Sequence, residues 1–186
     1  MENCSDKELI GLTIKRCASA FKELYMRYKI PIYNFILRYT GNREIAEDLL
    51  QETFIRIWYG AHTFDNKKGN FRVWLYKIAL NTTRNEMSKK QYKHYFYELE
   101  TIKNKKESSS EERPDRKFDN LELQNRIATA LNRLPPLLLR EVVIMKNYQQ
   151  LKFREISEIT DTPEGTLKAR YHRAVEKLRE ELKYPE

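Results

Sequence analysis

Glycine, cysteine, histidine and long apolar runs are all scarce in this chain. Its 186 residues include 5 Gly, 6 Pro, 2 Cys and 3 His. Glycine usually supplies about 7% of a protein. Its scarcity disfavours turn-rich β-sandwiches, collagen-like repeats and Gly-rich phosphate loops. Cys4 and Cys17 have no CxxC or Cys/His partners at metal spacing. They read as two reduced cytosolic thiols. Apolar runs such as Val142-Val143-Ile144-Met145 fall far short of the about 18 residues that a membrane span needs. Met1 to Asp6 has neither a basic n-region nor an apolar h-region, so no secretory signal is expected. The motifs GxxxxGK[ST], HExxH and GxSxG do not occur, and so few His and Cys offer little for a catalytic constellation. The expectation is no enzyme, no cofactor and no metal.

What the chain does have is charge and aromatic rings. Lys and Arg number 35 against 27 Asp and Glu, a net charge of +8, and 12% of residues are aromatic. A hydrophobic share of 40% is too rich for a wholly disordered chain. The length suits one or two domains. A basic balance favours an acidic partner, with nucleic acid ahead of an anionic membrane.

Helical signals dominate residues 5–88. Ser5-Asp6-Lys7-Glu8 is a capping-box pattern. Apolar periodicity then runs from Ala18 to Tyr39, and Pro31 within it predicts a kink or a split. Gly41 is placed to end this helix and Asn42 to cap the next, over about 43–59, with Gly60 as its stop. Ala46, Leu50, Phe54 and Ile57 share one face. A loop over 61–70 precedes a helix over about 71–89. Periodicity fails from Lys90 to about Asp119, where charge, serine and proline read as a flexible tether. It returns at Leu121, Leu123, Ile127, Ala130, Leu131 and Leu134, stops at Pro135-Pro136, and resumes in helices near 137–147, 153–160 and 163–183. The fold class is therefore all-α, with two small helical domains at 1–90 and 120–186 joined by a linker at 91–119.

Three segments carry chemistry. Phe153–Thr160, a tight connection at Asp161-Thr162 and a helix opened by Pro163 form a helix-turn-helix. Leu167, Tyr171, Ala174, Leu178 and Leu182 line one face of the second helix; Lys168, Ala169, His172, Arg173 and Glu176 line the other. A basic amphipathic second helix suits the major groove, and a solvated basic face is the alternative. Between Phe54 and Tyr97, rings including Trp58, Phe64, Phe71 and Trp74 alternate with Lys67, Lys68, Arg72, Lys77 and Arg84. Rings beside phosphate-tracking cations suit unpaired bases, and Asn66, Asn70 and Asn81 offer amides to read a base edge. Burial of the rings in a core is the competing reading. Finally Glu44, Asp48, Gln51 and Glu52 share a helix face. On a basic protein this is either a solvated face or a dock for a basic surface.

The order of these segments resembles the bacterial RNA polymerase sigma factors of the extracytoplasmic-function group. The resemblance rests on Phe21–Tyr28, on Gly41-Asn42-Arg43-Glu44-Ile45-Ala46-Glu47-Asp48-Leu49-Leu50-Gln51-Glu52-Thr53-Phe54, on Trp74-Leu75-Tyr76-Lys77-Ile78-Ala79-Leu80-Asn81, and on Leu134-Pro135-Pro136, Arg140–Val143 and Gly165–Arg170 with Arg173-Ala174. It covers most of the chain. It implies a region 2 bundle and a region 4 helix-turn-helix bundle. Asp48, Gln51, Glu52 and Arg56 would dock on the clamp helices of the polymerase core, whose flap region is a further partner. Phe64, Asn70, Phe71, Trp74, Lys77, Asn81 and Arg84 would bind the −10 element and hold a flipped base. Thr166, Lys168, Ala169, Arg170, His172 and Arg173 would meet the −35 duplex. Promoter DNA and an anti-sigma factor are implied partners, in the cytoplasm, at the nucleoid when bound to polymerase, with no membrane insertion.

The chain departs from the family pattern at several positions. Asn85-Glu86 replaces an acidic-then-apolar pair. Gln150 and Asp161 stand where Gly is common, Thr160 where the residue is usually apolar, and Ala169 where Ser is frequent. Rival readings are a helix-turn-helix regulator acting without polymerase, which would need neither the acidic face nor the aromatic loop, and a small nuclease, which would need a carboxylate cluster for metal ions.

Overall fold

The computed structural model describes residues 4–65, 69–101, 126–127, 129–131, 134 and 137–183, with only the backbone described from Lys90 to Thr101. All regular structure among these residues is helical. Helix α1 spans Asp6–Ile14 and α2 spans Ala18–Thr40. Helix α3 spans Arg43–Gly60 and leads into a single 3-10 turn, Ala61–Thr63. Helix α4 spans Phe71–Thr101.

Local chemistry sets most of these boundaries. The Ser5 hydroxyl accepts from the Glu8 N–H, and the Glu8 carboxylate accepts from the Ser5 N–H at 2.7 Å, so the capping box forms. Gly41 adopts φ 69° and donates its N–H to the Leu37 carbonyl at 2.8 Å, a left-handed cap that suits glycine. The Asn42 side-chain oxygen accepts from the Ile45 N–H at 3.0 Å. Gly60 remains helical rather than ending the helix outright.

Of the kink or split expected at Pro31, the split does not occur: α2 runs unbroken through it. Proline removes one backbone donor and crowds the carbonyl four residues back. That local cost is outweighed because both halves of α2 pack into one core. Ala20 and Leu24 are buried before the proline, and Ile32, Phe35 and Ile36 after it. Around α2 pack α1, α3 and α4. Phe35, Leu75, Tyr76 and Leu80 lie at the centre of this domain, and the Phe35 and Tyr76 rings meet edge to face at 5.5 Å.

Helix α4 continues to Thr101, through the first residues of the segment expected to be linker. The remainder of that segment lies outside the described residues, as do Leu121, Leu123 and Pro135-Pro136. Ala130, Leu131 and Leu134 are buried in the C-terminal domain. Helix α5 spans Leu137–Val143 and widens into a π-helical turn, Ile144–Tyr148. Helices α6, Phe153–Thr160, and α7, Glu164–Lys183, complete it. Gln150 (φ 53°) and Asp161 (φ 52°) are left-handed. These are the two positions where the family pattern commonly has glycine, and the backbone gives the reason: only a residue without Cβ adopts that region freely. No helix among the described residues is long and apolar enough to cross a membrane.

Candidate nucleic-acid interface

Helix α7 is anchored on one side and open on the other. Leu167 and Ala174 are buried, and Tyr171 packs edge to face on Phe153 of α6 at 5.8 Å. The Tyr171 hydroxyl also donates to the Asn147 side-chain oxygen at 2.9 Å, fixing the helix to the π turn. Those contacts turn Thr166, Lys168, Ala169, His172 and Arg173 outward, all exposed, with Arg170 half-buried. The fold thus gathers all six predicted contacts of this helix on or beside one surface. Arg170 and Arg173 also border a groove with Leu138, Leu139 and Glu176.

The aromatic site on α4 differs from an open platform. Phe64 and Phe71 are buried, and Phe71 packs on Tyr28 at 5.6 Å. Both rings lie under the half-buried Trp74, at 5.4 and 6.0 Å between centroids. They are a floor that fixes the indole, and Trp74 alone of the three retains substantial exposure. Asn70 caps α4, its side-chain oxygen accepting from the Arg72 N–H at 2.9 Å. Asn81 is exposed, whereas Asn66, Lys67 and Lys68 lie outside the described residues.

Among the described residues, Lys77 and Arg84 of α4 are engaged rather than free. Arg84 donates twice to the Glu141 carboxylate, at 2.6 and 3.0 Å. Burial alone would lower the Arg84 pKa, but the hydrogen bonds and charge of Glu141 raise it above its ordinary value. Glu141 is only 2% exposed and also accepts from the Tyr39 hydroxyl at 3.1 Å. Burial, reinforced by that carboxylate, pushes the Tyr39 pKa up, so the phenol stays protonated as a donor. Lys77 pairs with Asp161 at 2.8 Å.

On α3, Asp48 and Gln51 are exposed, and Glu52 pairs with Arg56 at 2.6 Å. Two apolar residues share this surface and escaped the sequence reading: Ile55, 56% exposed, and Tyr59, 65% exposed. Their spacing from Asp48, seven and eleven residues on, is the signal that could have found them. The inward stripe is Ala46, Leu49, Thr53, Phe54 and Ile57, with Leu50 half-buried at its edge.

Comparisons with known proteins agree with this architecture. Residues 24–92 match the family model for sigma-70 region 2, and residues 124–178 match that for sigma-70 region 4. The chain is 35% identical over 184 residues to the ECF RNA polymerase sigma factor SigW of Bacillus subtilis, covering 95% of this chain and 96% of that one. It is 26% identical over 185 residues to the ECF RNA polymerase sigma-E factor of Escherichia coli K12, covering 95% and 94%. Among solved structures, the sigma factor RpoE of Bartonella quintana, determined with the anti-sigma factor NepR, superposes with a TM-score of 0.68 at 25% identity, covering 89% of this chain and 98% of that one. CnrH, determined with the cytosolic domain of CnrY, shares the fold at a TM-score of 0.71 and 22% identity, covering 96% and 97%. With a region 2 bundle, a region 4 helix-turn-helix and a relative alike along nearly its whole length, this chain belongs to the extracytoplasmic-function sigma factors, the promoter-recognition subunits of RNA polymerase.

Proposed function

We propose that three surfaces of this sigma factor divide the work of promoter selection, with domains at 1–90 and 120–186. The exposed face of α3 docks on the clamp helices of the polymerase core through Asp48, Gln51, Glu52 and Arg56, with Ile55 and Tyr59 as its apolar centre. Helix α7 enters the major groove at the −35 element, where Lys168, Ala169, His172 and Arg173 meet base edges and Thr166 and Arg170 lie near phosphates. Helix α4 takes the melted −10 strand: Trp74, braced by Phe64 and Phe71, stacks on an unpaired base, Asn81 reads its edge, and Lys77 and Arg84 follow the backbone. Asn70 holds the start of that helix in place.

The observation that carries this reading is the exposed acidic and apolar stripe on α3 of a basic protein. A helix-turn-helix regulator acting alone has no use for a surface that repels DNA. The chain itself performs no hydrolysis; strand separation draws on binding energy to core and DNA. It works in the cytoplasm, at the nucleoid when bound to core. An anti-sigma factor is a further partner, since the similar RpoE of Bartonella quintana was solved with one.

Run-off transcription with purified core polymerase tests the reading. A transcript from a cognate promoter that depends on this protein is expected. A folded protein that directs no transcript from any promoter of its source genome would overturn it.

A further inference from the structure

The connection from α1 to α2 holds a residue in a conformation that its side chain disfavours. The Cys17 N–H donates to the Leu12 carbonyl at 3.1 Å, and the Arg16 N–H donates to the Thr13 carbonyl at 2.9 Å. These two bonds close α1 in the Schellman pattern, whose left-handed position is most often glycine. Here that position is Arg16, at φ 63°. A residue with Cβ is strained there and glycine is not. The cap would form as well, or better, with no side chain at all. What arginine adds is found elsewhere, at the end of α3.

The Arg16 guanidinium crosses 42 positions of sequence to donate to the Trp58 carbonyl at 3.0 Å. It lies 5.3 Å from the centre of the Trp58 ring and 5.9 Å from that of Tyr59. The last carbonyls of a helix lack partners within it and carry partial negative charge, so a cation is doubly favoured there. The neighbouring carbonyls of Tyr59 and Gly60 meet His62 and Thr63 of the adjoining turn. The Trp58 carbonyl is instead met from the α1–α2 connection. Trp58 is half-buried and its ring already rests on Phe21 at 5.0 Å. Tyr59 is 65% exposed and takes Arg16 against its ring. Arg16 is itself exposed, so both side chains lie on the surface that α3 presents with Ile55.

We propose that Arg16 is a positioning residue for polymerase binding: it braces the end of α3 and holds the Tyr59 ring ready to dock. An exposed side chain loses rotamer freedom when a partner covers it. A ring already braced has less freedom to lose, which raises affinity without any new contact. A guanidinium suits this task better than an ammonium, because its face can lie against a ring while its edge donates. The strained backbone at Arg16 is retained because only that position aims the side chain at α3 from the end of α1. This inference rests on the docking of α3 on the polymerase core.

The test titrates the full chain, labelled for fluorescence anisotropy, with purified core polymerase. Arg16→Gly suits the left-handed backbone, so a cooperative melting transition should be retained. It should weaken core binding by about 2- to 10-fold, the ordering cost of one side chain. Arg16→Lys keeps the charge but lacks the planar fork, and should lose affinity to a similar extent. In a Tyr59→Ala background, Arg16→Gly should add no further loss, because no ring is left to hold. Unchanged core affinity of Arg16→Gly overturns the inference. So does a loss of equal size with and without Tyr59, which would mean that Arg16 acts independently of the ring. Wild-type affinity in Arg16→Lys would show that charge alone suffices and overturn the brace. A Tyr59→Ala variant that binds core as the wild type does would instead overturn the docking reading of α3, and this inference with it.

Discussion

The two basic helices of this protein, α4 and α7, look alike in composition and differ in availability. Both carry cations interleaved with small or amide side chains. On α7, Lys168, His172 and Arg173 face solvent because Leu167 and Ala174 bury the opposite side. On α4, Arg72, Lys77 and Arg84 face a neighbouring domain that supplies a matching acceptor for each. A cation already holding a carboxylate offers no net attraction to DNA until that carboxylate leaves. The net charge of +8 therefore overstates what the folded molecule presents. The lesson is that a DNA-reading surface is defined by which charges are unmatched, and matching is a property of tertiary contact.

The comparison can be broken most sharply at Trp74. Base stacking on an aromatic ring is worth about 1–3 kcal/mol per base, so Trp74→Ala should reduce open-complex formation by about 5- to 150-fold. Permanganate footprinting of the melted region measures this, and binding to −35 duplex should be retained. Equal loss of both activities would mean the two helices do not act separately. A third surface calibrates the contrast. Helix α3 is open like α7 but meets protein, and Tyr59 has the exposure and size of an interface anchor. Tyr59→Ala should weaken core binding by about 2 kcal/mol in a polymerase titration, leaving both DNA-binding activities of the free protein as they were.

Arg173→Ala reaches the other side of the comparison. One groove contact is worth about 1–3 kcal/mol, so −35 duplex affinity should fall about tenfold or more in a mobility-shift assay. Strand opening on a pre-melted promoter should persist. The smallest effect is expected at Gln150. Its φ of 53° strains a side chain that carries Cβ, at about 1 kcal/mol or slightly more. Gln150→Gly should raise the melting temperature of a domain this small by about 4–8 °C, with DNA binding unchanged. A lowered melting temperature would show that the Gln150 side-chain bond to the Asn147 carbonyl outweighs the backbone strain.

Much of the architecture was legible because it is local. The capping box at Ser5, the left-handed Gly41 and the Asn42 cap each depend on a few adjacent residues, and each forms as read. The helix-turn-helix was legible for the same reason, and the Gln150 and Asp161 departures even marked two of the three left-handed residues other than glycine among the described residues, Arg16 being the third. The sequence left alternatives open where packing decides. Pro31 is a helix breaker by itself, yet both halves of α2 are clamped by one core. Phe64 and Phe71 have the composition of a stacking platform, yet they are buried beneath Trp74. Ile55 and Tyr59 have the composition of core residues, yet they project outward beside Asp48 and Glu52.

By itself the sequence determined the helical class, the helix ends and the order of motifs that marks a sigma factor. All of these follow from capping, periodicity and spacing along a few turns of chain. Only the tertiary structure decided which rings stack and which support, and which cations are free. Glu141 and Arg84 are 57 residues apart, and no periodicity connects them. Their pairing depends on two domains meeting with a buried carboxylate opposite a guanidinium, and a contact of that kind leaves no signature in a single strand of text.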